Sequence, residues 1–495
     1  MRLIPETMEL RRELPVVVGN VDYRTFEERL ERIDELLRIS GLEGVFIQRR
    51  LQVWASQRGE KIGAKDQARY QRMCRQALRC NIARRLTEME YRRFTRRLAE
   101  SPLLQWFCGI GRLDVIRVPS KSALQRYEAL APESEVRELV NELNRQAARP
   151  RTRRGQPLGL EASAGIEVYL ADTTCLKAAI HFPADWVLLR DAVRTLMKAM
   201  ILIRRQGLKH RMEEPSVFLK RMNGLAIAMT QSARRSGSRR ERKRILRQMK
   251  RLSKGIGRHA QRYVGMLKER WGETQWTQGQ AGCVWRRMEG VLEKLPEAIH
   301  QAHERIIGGR LVPNERKILS LYDPEVYVIV RGKANAEVEF GNTLFLGEQA
   351  QGLVADWKLL RERSPGDAIL LEESMERVHG VYGCYPEGVG ADRGFDRRKT
   401  RHYVESRDIL NGICARSPAR FREQRQDEGF AALHHRRGQT EARIAILQND
   451  FLGRPLRSKG FVARERAVAW SVLAHNLWVI ARLPQAATVR RQRAA

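Results

Sequence analysis

The sequence is poor in cysteine and in long apolar runs. Seven of its 495 residues are cysteine, an odd number without any Cys-x-x-Cys pair, which argues against a disulfide framework or a cysteine-based zinc site. The most apolar stretch, at 196–203, is interrupted by Lys198 and followed by two arginines, so it is too short and too charged to span a bilayer. The first residues lack the apolar core of a signal peptide. We therefore expect a reduced, cytoplasmic protein with no membrane partner.

Acidic residues are the minority among the charged ones. Lys+Arg number 92 against 58 Asp+Glu, which gives a formal net charge of +34 and a pI near 10.7. Hydrophobic residues make up 42% of the chain, an ordinary globular share that excludes wholesale disorder. A folded protein this basic repels itself unless a polyanion neutralises it. Nucleic acid is the expected partner, and an anionic membrane surface is the alternative.

The first 147 residues carry the periodicity of helices. Apolar residues between 30 and 37 recur on one face, and Gly41 separates this helix from a second at 42–57. A third helix is predicted at 65–85, and Ser120 has the type and place of a helix N-cap. The pattern predicts an all-α region over 1–147.

The pattern changes after a segment at 148–160 that is rich in Pro, Gly and Arg, which we interpret as a linker. Alternating and apolar residues then predict a strand at 166–172, and a helical pattern covers about 185–310. Further strands are predicted at 318–321, 326–330, 343–346, 352–359, 389–392 and 409–415, and helices at 439–450 and 463–483. The basic end, 484–495, is predicted to be a flexible tail. The fold class is therefore mixed α/β (α+β), with a second domain over 161–483.

Three acids stand at positions where a scaffold can bring distant residues together. Asp172 and Asp392 are each predicted to end a strand, and Glu441 to lie in the first turn of a helix. Gathered at one point, three carboxylates repel one another unless a divalent cation joins them, and hard oxygen ligands suit Mg²⁺ or Mn²⁺. Two such ions about 4 Å apart stabilise the attacking and leaving oxygens of a phosphoryl displacement. The spacing leaves three further acids open as members of such a set: Asp396, Glu339 and Asp356.

Several motifs resemble those of bacterial insertion-sequence transposases of the DDE type. Residues 172–183 (Asp-Thr-Thr-Cys-Leu-Lys-Ala-Ala-Ile-His-Phe-Pro) resemble their first-Asp motif, and 391–396 (Ala-Asp-Arg-Gly-Phe-Asp) their second. Arg437-x-x-x-Glu441 is similar to the element around their catalytic Glu. Residues 470–477 (Trp-Ser-Val-Leu-Ala-His-Asn-Leu) resemble their C-terminal helix, and 90–124 their helical N-terminal domain. The resemblance covers about 90–483, with five motifs in order.

The chain departs from the related signature at two places. His434 stands where that signature has Tyr, three residues before the Arg, and Gln448 stands where it has Lys, seven residues after the Glu. Both departures concern groups that position DNA.

The resemblance implies an RNase H-like catalytic core with a long, basic helical insertion. It assigns Asp172, Asp392 and Glu441 as catalytic residues that hold two Mg²⁺ (or Mn²⁺) ions. It further implies a transposase that binds the terminal inverted repeats of an insertion sequence, cleaves the DNA and joins the freed 3′-OH to target DNA. Its partners would be double-stranded DNA and further copies of the chain, in a homodimer or higher oligomer, and its location the nucleoid in the bacterial cytoplasm.

Basic residues in three places are candidates for contacts with DNA. The helix that begins after Ser120 presents Lys121, Gln125 and Arg126 to a major groove. Residues 234–270 hold fifteen Lys/Arg against two Glu, which favours a phosphate-binding surface. Arg437, one turn before Glu441, has the fork that binds a phosphate. The candidates in the basic run are Arg239, Arg240, Arg242, Lys243, Arg244, Arg247, Lys250 and Arg251.

Two other functions fit the same residues. One is a non-enzymatic DNA-binding protein, a domesticated relative that keeps the basic surfaces without the chemistry. The other is an RNase H-like nuclease that cuts DNA but does not transfer strands. Joined product in the presence of target DNA separates a transposase from both.

Overall fold

The computed structural model describes residues 13–58, 63–112, 115–153, 155–333 and 336–486. The chain forms two compact units: unit 1 comprises 1–176 and 343–495, and unit 2 comprises 177–342. Most of the predicted basic tail, from 487 onward, lies outside the described residues. The predicted linker at 148–160 does not coincide with a boundary between units, and Leu158 and Leu160 within it are fully buried.

The N-terminal part of unit 1 is helical, as predicted. Ser120 caps its helix by accepting a hydrogen bond from the backbone N–H of Ala123. A small antiparallel hairpin, β1 (Gly111–Arg112) and β2 (Val115–Ile116), precedes this helix. The helices are α1 (Val21–Ile39), α2 (Leu42–Arg58), α3 (Ala64–Leu86), α4 (Tyr91–Glu100), α5 (Pro102–Cys108), α6 (Lys121–Glu128) and α7 (Glu133–Ala148).

Unit 2 follows β3 (Val168–Lys177) and consists mainly of four helices that share one apolar core. Its basic helix α10 keeps Ile245, Leu246 and Met249 on a buried stripe, which leaves its cations for the opposite faces. The helical pattern predicted over 185–310 is therefore confirmed, with breaks between the helices. They are α8 (Asp185–Arg205), α9 (Pro215–Ala233), α10 (Arg239–Arg270) and α11 (Gln278–Ala302).

The predicted strand at 318–321 is wrong. The backbone N–H of Ile318 donates to the side chain of Gln301 at 2.7 Å, and Leu319 and Leu321 are buried without pairing in a sheet. The apolar alternation there reflects burial of an irregular segment.

The other predicted strands form a mixed six-stranded sheet in the order β4-β5-β3-β7-β8, with β6 also paired to β5. β3, β7 and β8 run parallel, whereas β4 and β6 are antiparallel to β5. The remaining elements are β4 (Tyr327–Lys333), β5 (Ala336–Gln349), β6 (Val354–Leu359), α12 (Asp367–Tyr382), β7 (Gly388–Ala391), α13 (Arg398–Glu405), β8 (Leu410–Ile413), α14 (Pro418–Gln424), α15 (Glu428–Ile446) and α16 (Phe461–Ile480). The structure is thus a mixed α+β fold.

The last helix, α16, organises the core of unit 1. Every residue from Ala467 to Leu477 is buried, and the ring centroid of Trp470 lies 6.0 Å from that of Phe46 on α2. A helix with no exposed face over about three turns is surrounded by protein. Because α3 and α7 also pack on α16, the N-terminal helices and the sheet share one unit. Within the described ranges, no helix has an apolar stretch long enough to cross a membrane.

Candidate active site

Asp172 and Asp392 lie side by side where the parallel pairing of β3 with β7 ends. The last paired residues of β3 and β7 are Ala171 and Ala391, so the two aspartates occupy the next position of neighbouring strands. Adjacent strands are about 4.8 Å apart. The carboxylate of each aspartate is held locally: Asp172 accepts from the backbone N–H of Thr173 at 2.7 Å, and Asp392 from that of Gly394 at 2.7 Å.

The prediction that Asp172 ends its strand is wrong. β3 continues for five residues to Lys177, because it also lies beside β5, a strand of 14 residues. The β-branched Thr173 and Thr174 favour this continuation. Asp392, in contrast, directly follows β7, as expected.

Glu441 lies near the end of a long helix, so its predicted place in a first turn is wrong. α15 begins at Glu428, where the side chain of Asp427 accepts from the backbone N–H of Phe430 at 2.6 Å. Two glycines within α15 weakened the helical signal in the sequence. His434 is in this helix and stacks on Phe430 at 5.7 Å between ring centroids.

Two glycines, Gly388 on β7 and Gly412 on β8, let α15 approach the sheet closely, which the sequence analysis missed. A Cβ on Gly412 would lie 2.8 Å from the Cβ of Leu433, and one on Gly388 would lie 3.1 Å from its Cδ1. A Cβ on Gly390 would meet Leu170 at 2.7 Å. The signal was present as Gly388-Val389-Gly390 at the start of a predicted strand.

This close approach directs one stripe of α15 toward the aspartates. Arg437 and Glu441 follow Leu433 at intervals of four residues and therefore lie on the same face of the helix. The side chain of Glu441 is 67% exposed, and its Oε1 lies 3.9 Å from Nη2 of Arg437. The structure thus brings Asp172 and Asp392 together and places Glu441 close enough to act on the pKa of Asp172, with its side chain turned to Arg437.

The electrostatics of Asp172 reflect this arrangement. Its pKa is raised to about 6, mainly by burial and also by the negative charges of Asp392 and Glu441, against the lowering effect of the Thr173 N–H and of Arg437. A buried carboxylate beside other carboxylates is the setting in which a cation is bound or a proton retained. Among the described residues, however, no group of three or more His, Cys, Asp and Glu side chains is arranged to hold a metal ion.

A further carboxylate, that of Asp367, borders the site and was not predicted. A Cβ on Gly394 would lie 2.8 Å from Oδ2 of Asp367 and 2.8 Å from Oδ1 of Asp392. Gly394 is therefore the residue that both carboxylates enclose. Asp367 is the first residue of α12 and follows a glycine, a pattern too common to identify it from sequence.

The three alternative acids are engaged in structural contacts elsewhere. Asp396 accepts from Arg401 and from the backbone N–H of Arg416, and Asp356 from Arg137, Arg377 and Ser374. Glu339 pairs with Lys177 at 2.9 Å. Each has cationic partners that satisfy its charge.

The C-terminal part of α15 is anchored by buried contacts. Nε of Arg443 lies 3.0 Å from Oε2 of Glu348, which is fully buried at the end of β5. Gln448, in the π-helical turn that follows α15, donates to Oγ1 of Thr174 at 3.1 Å and to the carbonyl of Cys175 at 3.3 Å. Gln448 thus ties this turn to the strand that carries Asp172.

The predicted DNA-contacting residues divide by exposure. Lys121, Gln125 and Arg126 are exposed on α6, and Arg437 is half-buried on α15. On α10 the residues Arg242, Lys243 and Lys250 are half-buried, and Lys250 Nζ lies 2.9 Å from Nδ1 of His303. Among the candidates in the basic run, the exposed ones are Arg239, Arg240, Arg244, Arg247 and Arg251.

Comparison of the chain with protein-family models, with curated proteins and with solved structures gives no match.

Proposed function

We propose that this chain is a DNA transposase of the DDE type with an RNase H-like catalytic core. The adjacency of Asp172 and Asp392 on parallel strands is the observation that carries the proposal. The two motifs that contain these residues are 220 residues apart in sequence, so their resemblance to a transposase does not by itself require the aspartates to be adjacent in the fold. The mixed sheet with both aspartates, and a separate helix with Glu441, agree with the core that the resemblance implies.

The donor set of the aspartate pair fits a divalent cation. Carboxylate oxygens are the ligands that Mg²⁺ and Mn²⁺ prefer. The pKa of Asp172 is raised mainly by burial and also by the negative charges of Asp392 and Glu441, and a bound cation would offset both effects. Asp172 and Asp392 would hold the metal, with Glu441 as the third carboxylate for two ions. When bound, such ions supply an activated water and stabilise the charge of an in-line phosphoryl displacement.

The remaining groups bind and position the DNA strand. The fork of Arg437 is suited to a phosphate next to the aspartates. Its contact with Glu441 is an exposed pair four residues apart, worth about 0.5 kcal/mol or less. A DNA phosphate therefore competes readily for Arg437, and the carboxylate of Glu441 is then released toward Asp172. The same centre would serve cleavage at the transposon end and joining of the 3′-OH to target DNA, and paired ends require at least two copies of the chain.

The test is an assay with donor DNA that carries the sequences flanking the coding region, in Mg²⁺ or Mn²⁺, with and without a target duplex. We expect cleaved donor and, with target, joined product. Asp172→Asn, Asp392→Asn and Glu441→Gln should abolish both products while retaining DNA binding in EDTA. Glu428→Gln, an exposed glutamate at the other end of α15, is the matched control and should remain active.

Other outcomes identify the alternatives. Cleavage without joined product would indicate a nuclease. The exposure of Glu441 and its pairing with Arg437 favour a second candidate, a DNA-binding protein without chemistry. Binding without metal-dependent products, together with unchanged behaviour of the Asp172→Asn variant, would establish that second function and overturn the first.

A further inference from the structure

A basic groove lies in unit 1, on residues that the catalytic proposal does not use. Its volume is about 930 Å³, and it is lined by the end of α3, the start of α4, α6, the segment 453–459 and the start of α16. Nine lining residues are Lys or Arg and three are Glu, so the groove has a large positive excess. Those on its exposed parts include Arg92, Arg93, Lys121 and Arg454.

Two buried arginines among the lining residues share a single carboxylate. Arg84 and Arg85 are 8% and 4% exposed, and Glu128 is 5% exposed. Nη2 of Arg85 lies 2.9 Å from Oε1 of Glu128, while Arg84 and the hydroxyl of Tyr91 donate to its other oxygen. Two guanidinium groups facing one carboxylate leave one positive charge in excess.

This excess charge is only partly compensated within the described part of the protein, where Arg84 lies 4.3 Å from the centroid of the Tyr91 ring and Nη1 of Arg85 donates to the carbonyl of Phe451 at 3.3 Å. The Nε atoms of both Arg84 and Arg85 are buried and have no hydrogen-bond partner. Burial and the neighbouring Arg84 lower the pKa of Arg85 to about 10, and Glu128 raises it only in part. Buried charge without a full complement of partners is unfavourable, and an anion in the groove would supply those partners.

One small anion would not use the whole groove. Its cations come from several separate elements, α3, α4, α6 and the segment before α16, so they extend beyond the reach of a single phosphate. Lys121 and Gln125, which we predicted to contact bases, line the same groove. Protein contacts to phosphates commonly flank contacts to bases and set their register.

We propose that this groove binds the sugar-phosphate backbone of duplex DNA beside the bases that α6 contacts. The inference rests on the proposed function, because that function identifies the polyanion as DNA. The groove then fixes where α6 lies along the duplex.

The first test compares two pairs of arginines on α4. Arg92 and Arg93 line the groove, whereas Arg96 and Arg97 lie one turn further along the same helix, equally exposed, and do not line it. Arg92→Gln/Arg93→Gln and Arg96→Gln/Arg97→Gln remove the same charge. We measure binding of a fluorescent duplex by anisotropy in EDTA, over a series of salt concentrations.

We expect the groove pair to lower the slope of log K against log salt by about two and to weaken binding roughly tenfold or more, since each phosphate contact contributes about 0.9 to the slope. The control pair should change the slope by much less. Equal effects of the two pairs would overturn the proposal. Displacement of the duplex by inorganic phosphate at constant ionic strength would also overturn it, because the site would then bind a small anion.

A second variant tests the excess buried charge. Glu128→Gln keeps the shape of the side chain and removes its charge, so both arginines become available to DNA. We expect tighter duplex binding with a steeper salt dependence, even if the variant is less stable. Weaker or unchanged binding by folded protein would contradict the assignment.

These tests can fail separately from the proposed function. If the wild-type protein joins DNA while both double variants weaken DNA binding equally, the groove proposal is wrong and the transposase proposal is supported. If only the groove variant weakens binding but no metal-dependent product forms, the transposase proposal is wrong and the groove proposal is supported.

Discussion

Ala171 and Ala391 are the last paired residues of two neighbouring parallel strands, and an aspartate follows each of them. Asp172 and Asp392 are 220 residues apart in sequence. They are adjacent because the two strands that precede them run parallel with Ala171 paired to Ala391, so the next residues of both strands lie side by side. Their proximity is thus set by backbone register and not by flexible side chains. A substitution of either aspartate therefore changes the side chain while the paired main chain keeps its position.

The first prediction concerns pH and stability in the absence of metal. The pKa of Asp172 is raised to about 6, above its ordinary value of 3.8, so the folded chain holds a proton that the unfolded chain releases between these values. The free energy of unfolding should therefore fall as pH rises through this window. The loss is at most about 3 kcal/mol, from roughly two pKa units.

Asp172→Asn removes this titration and is the comparison for that prediction. Urea unfolding in EDTA at pH 5 and pH 7.5 should show a smaller difference for the variant than for the wild type, with the variant more stable at the higher pH. Identical pH dependence of the two proteins would show that Asp172 is not titrating in this range.

The second prediction concerns the glycines under α15. Gly412→Ala places a Cβ 2.7 Å from the carbonyl oxygen of Val389 and 2.8 Å from Leu433, so α15 must move off the sheet. We expect a loss of about 1–3 kcal/mol in stability, as for an overpacked core, and a larger loss of DNA cleavage because Arg437 and Glu441 move with the helix. Thermal unfolding and the cleavage assay measure the two effects.

Gly438→Ala is the matched control for that helix. Nothing lies within 4 Å of a Cβ at this position, and alanine favours a helix by about 1 kcal/mol over glycine. The control should be as stable as the wild type or more so, and active. A Gly412→Ala protein with full activity would refute the close-approach argument.

The third prediction concerns Asn476, the buried polar residue of α16. It donates to the carbonyl of Val354 at 2.8 Å and to Asn144 at 3.0 Å, and accepts from the backbone N–H of Val354 at 3.0 Å. Asn476→Ala removes these three buried hydrogen bonds, although Asn144 still donates to the carbonyl of Val354 at 3.0 Å, so we expect a loss of about 2–4 kcal/mol. Exposed Gln426→Ala should change stability by less than about 0.5 kcal/mol. If urea denaturation gives a similar free energy of unfolding for both variants, the hydrogen bonds of Asn476 do not stabilise the fold.

The neighbouring His475 should take no part in pH dependence above about pH 4. Its pKa is lowered to about 3, mainly by burial and also by the charge of Arg443, against a raising effect of the hydrogen bond with Asn476. It is therefore neutral near physiological pH. The contact of 3.0 Å between His475 Nδ1 and Asn476 Oδ1 makes the two side chains a hydrogen-bonded pair with a structural role.

The fourth prediction concerns the basic helix of unit 2. Arg244, Arg247 and Arg251 are exposed on α10 and have no ionic partner in the described part of the chain. Replacing all three with Ala should lower the salt slope of DNA binding by up to about three if each contacts a phosphate. A slope that stays at the wild-type value would remove α10 from the DNA-binding surface.

The control for α10 lies at the end of the same helix. Lys268 and Arg270 already pair with Glu289 and Glu273, at 2.5 Å and 2.6 Å. Their replacement with Ala should change the slope little, because their charge is offset by these partners. Salt titration of both variants against the same duplex makes the comparison.

Sequence patterns predicted most helices because their apolar stripes are regular, as in α1 and α10. They also predicted Asp392 at the end of its strand, since a short apolar run stops there. They failed for α15, where Gly429 and Gly438 and several cations obscured a helix that begins at an Asp427 cap. They failed at Asp172 because the length of β3 depends on β5, a strand distant in sequence.

The approach of Glu441 toward Arg437 could not be predicted at all. The spacing of four residues between Arg437 and Glu441 is visible in the sequence. Whether the side chain of Glu441 turns toward Arg437 or toward the aspartates depends on its rotamer, which the sequence does not show. The groove in unit 1 was equally hidden, because Arg84, Arg85 and Glu128 come from separate helices and only the packing of α3 on α6 brings them together.

The spacing of eight residues between Leu433 and Glu441 has a consequence for how this region tolerates change. Leu433 packs directly on Gly388 and Gly412, so the helix cannot rotate about its axis at that point. Deleting a single residue from the intervening turns would swing Glu441 by about 100° around the helix, away from the aspartates. Chain length in this stretch is thus as restrictive as residue identity, and insertions or deletions there should be incompatible with activity even when every acid is retained.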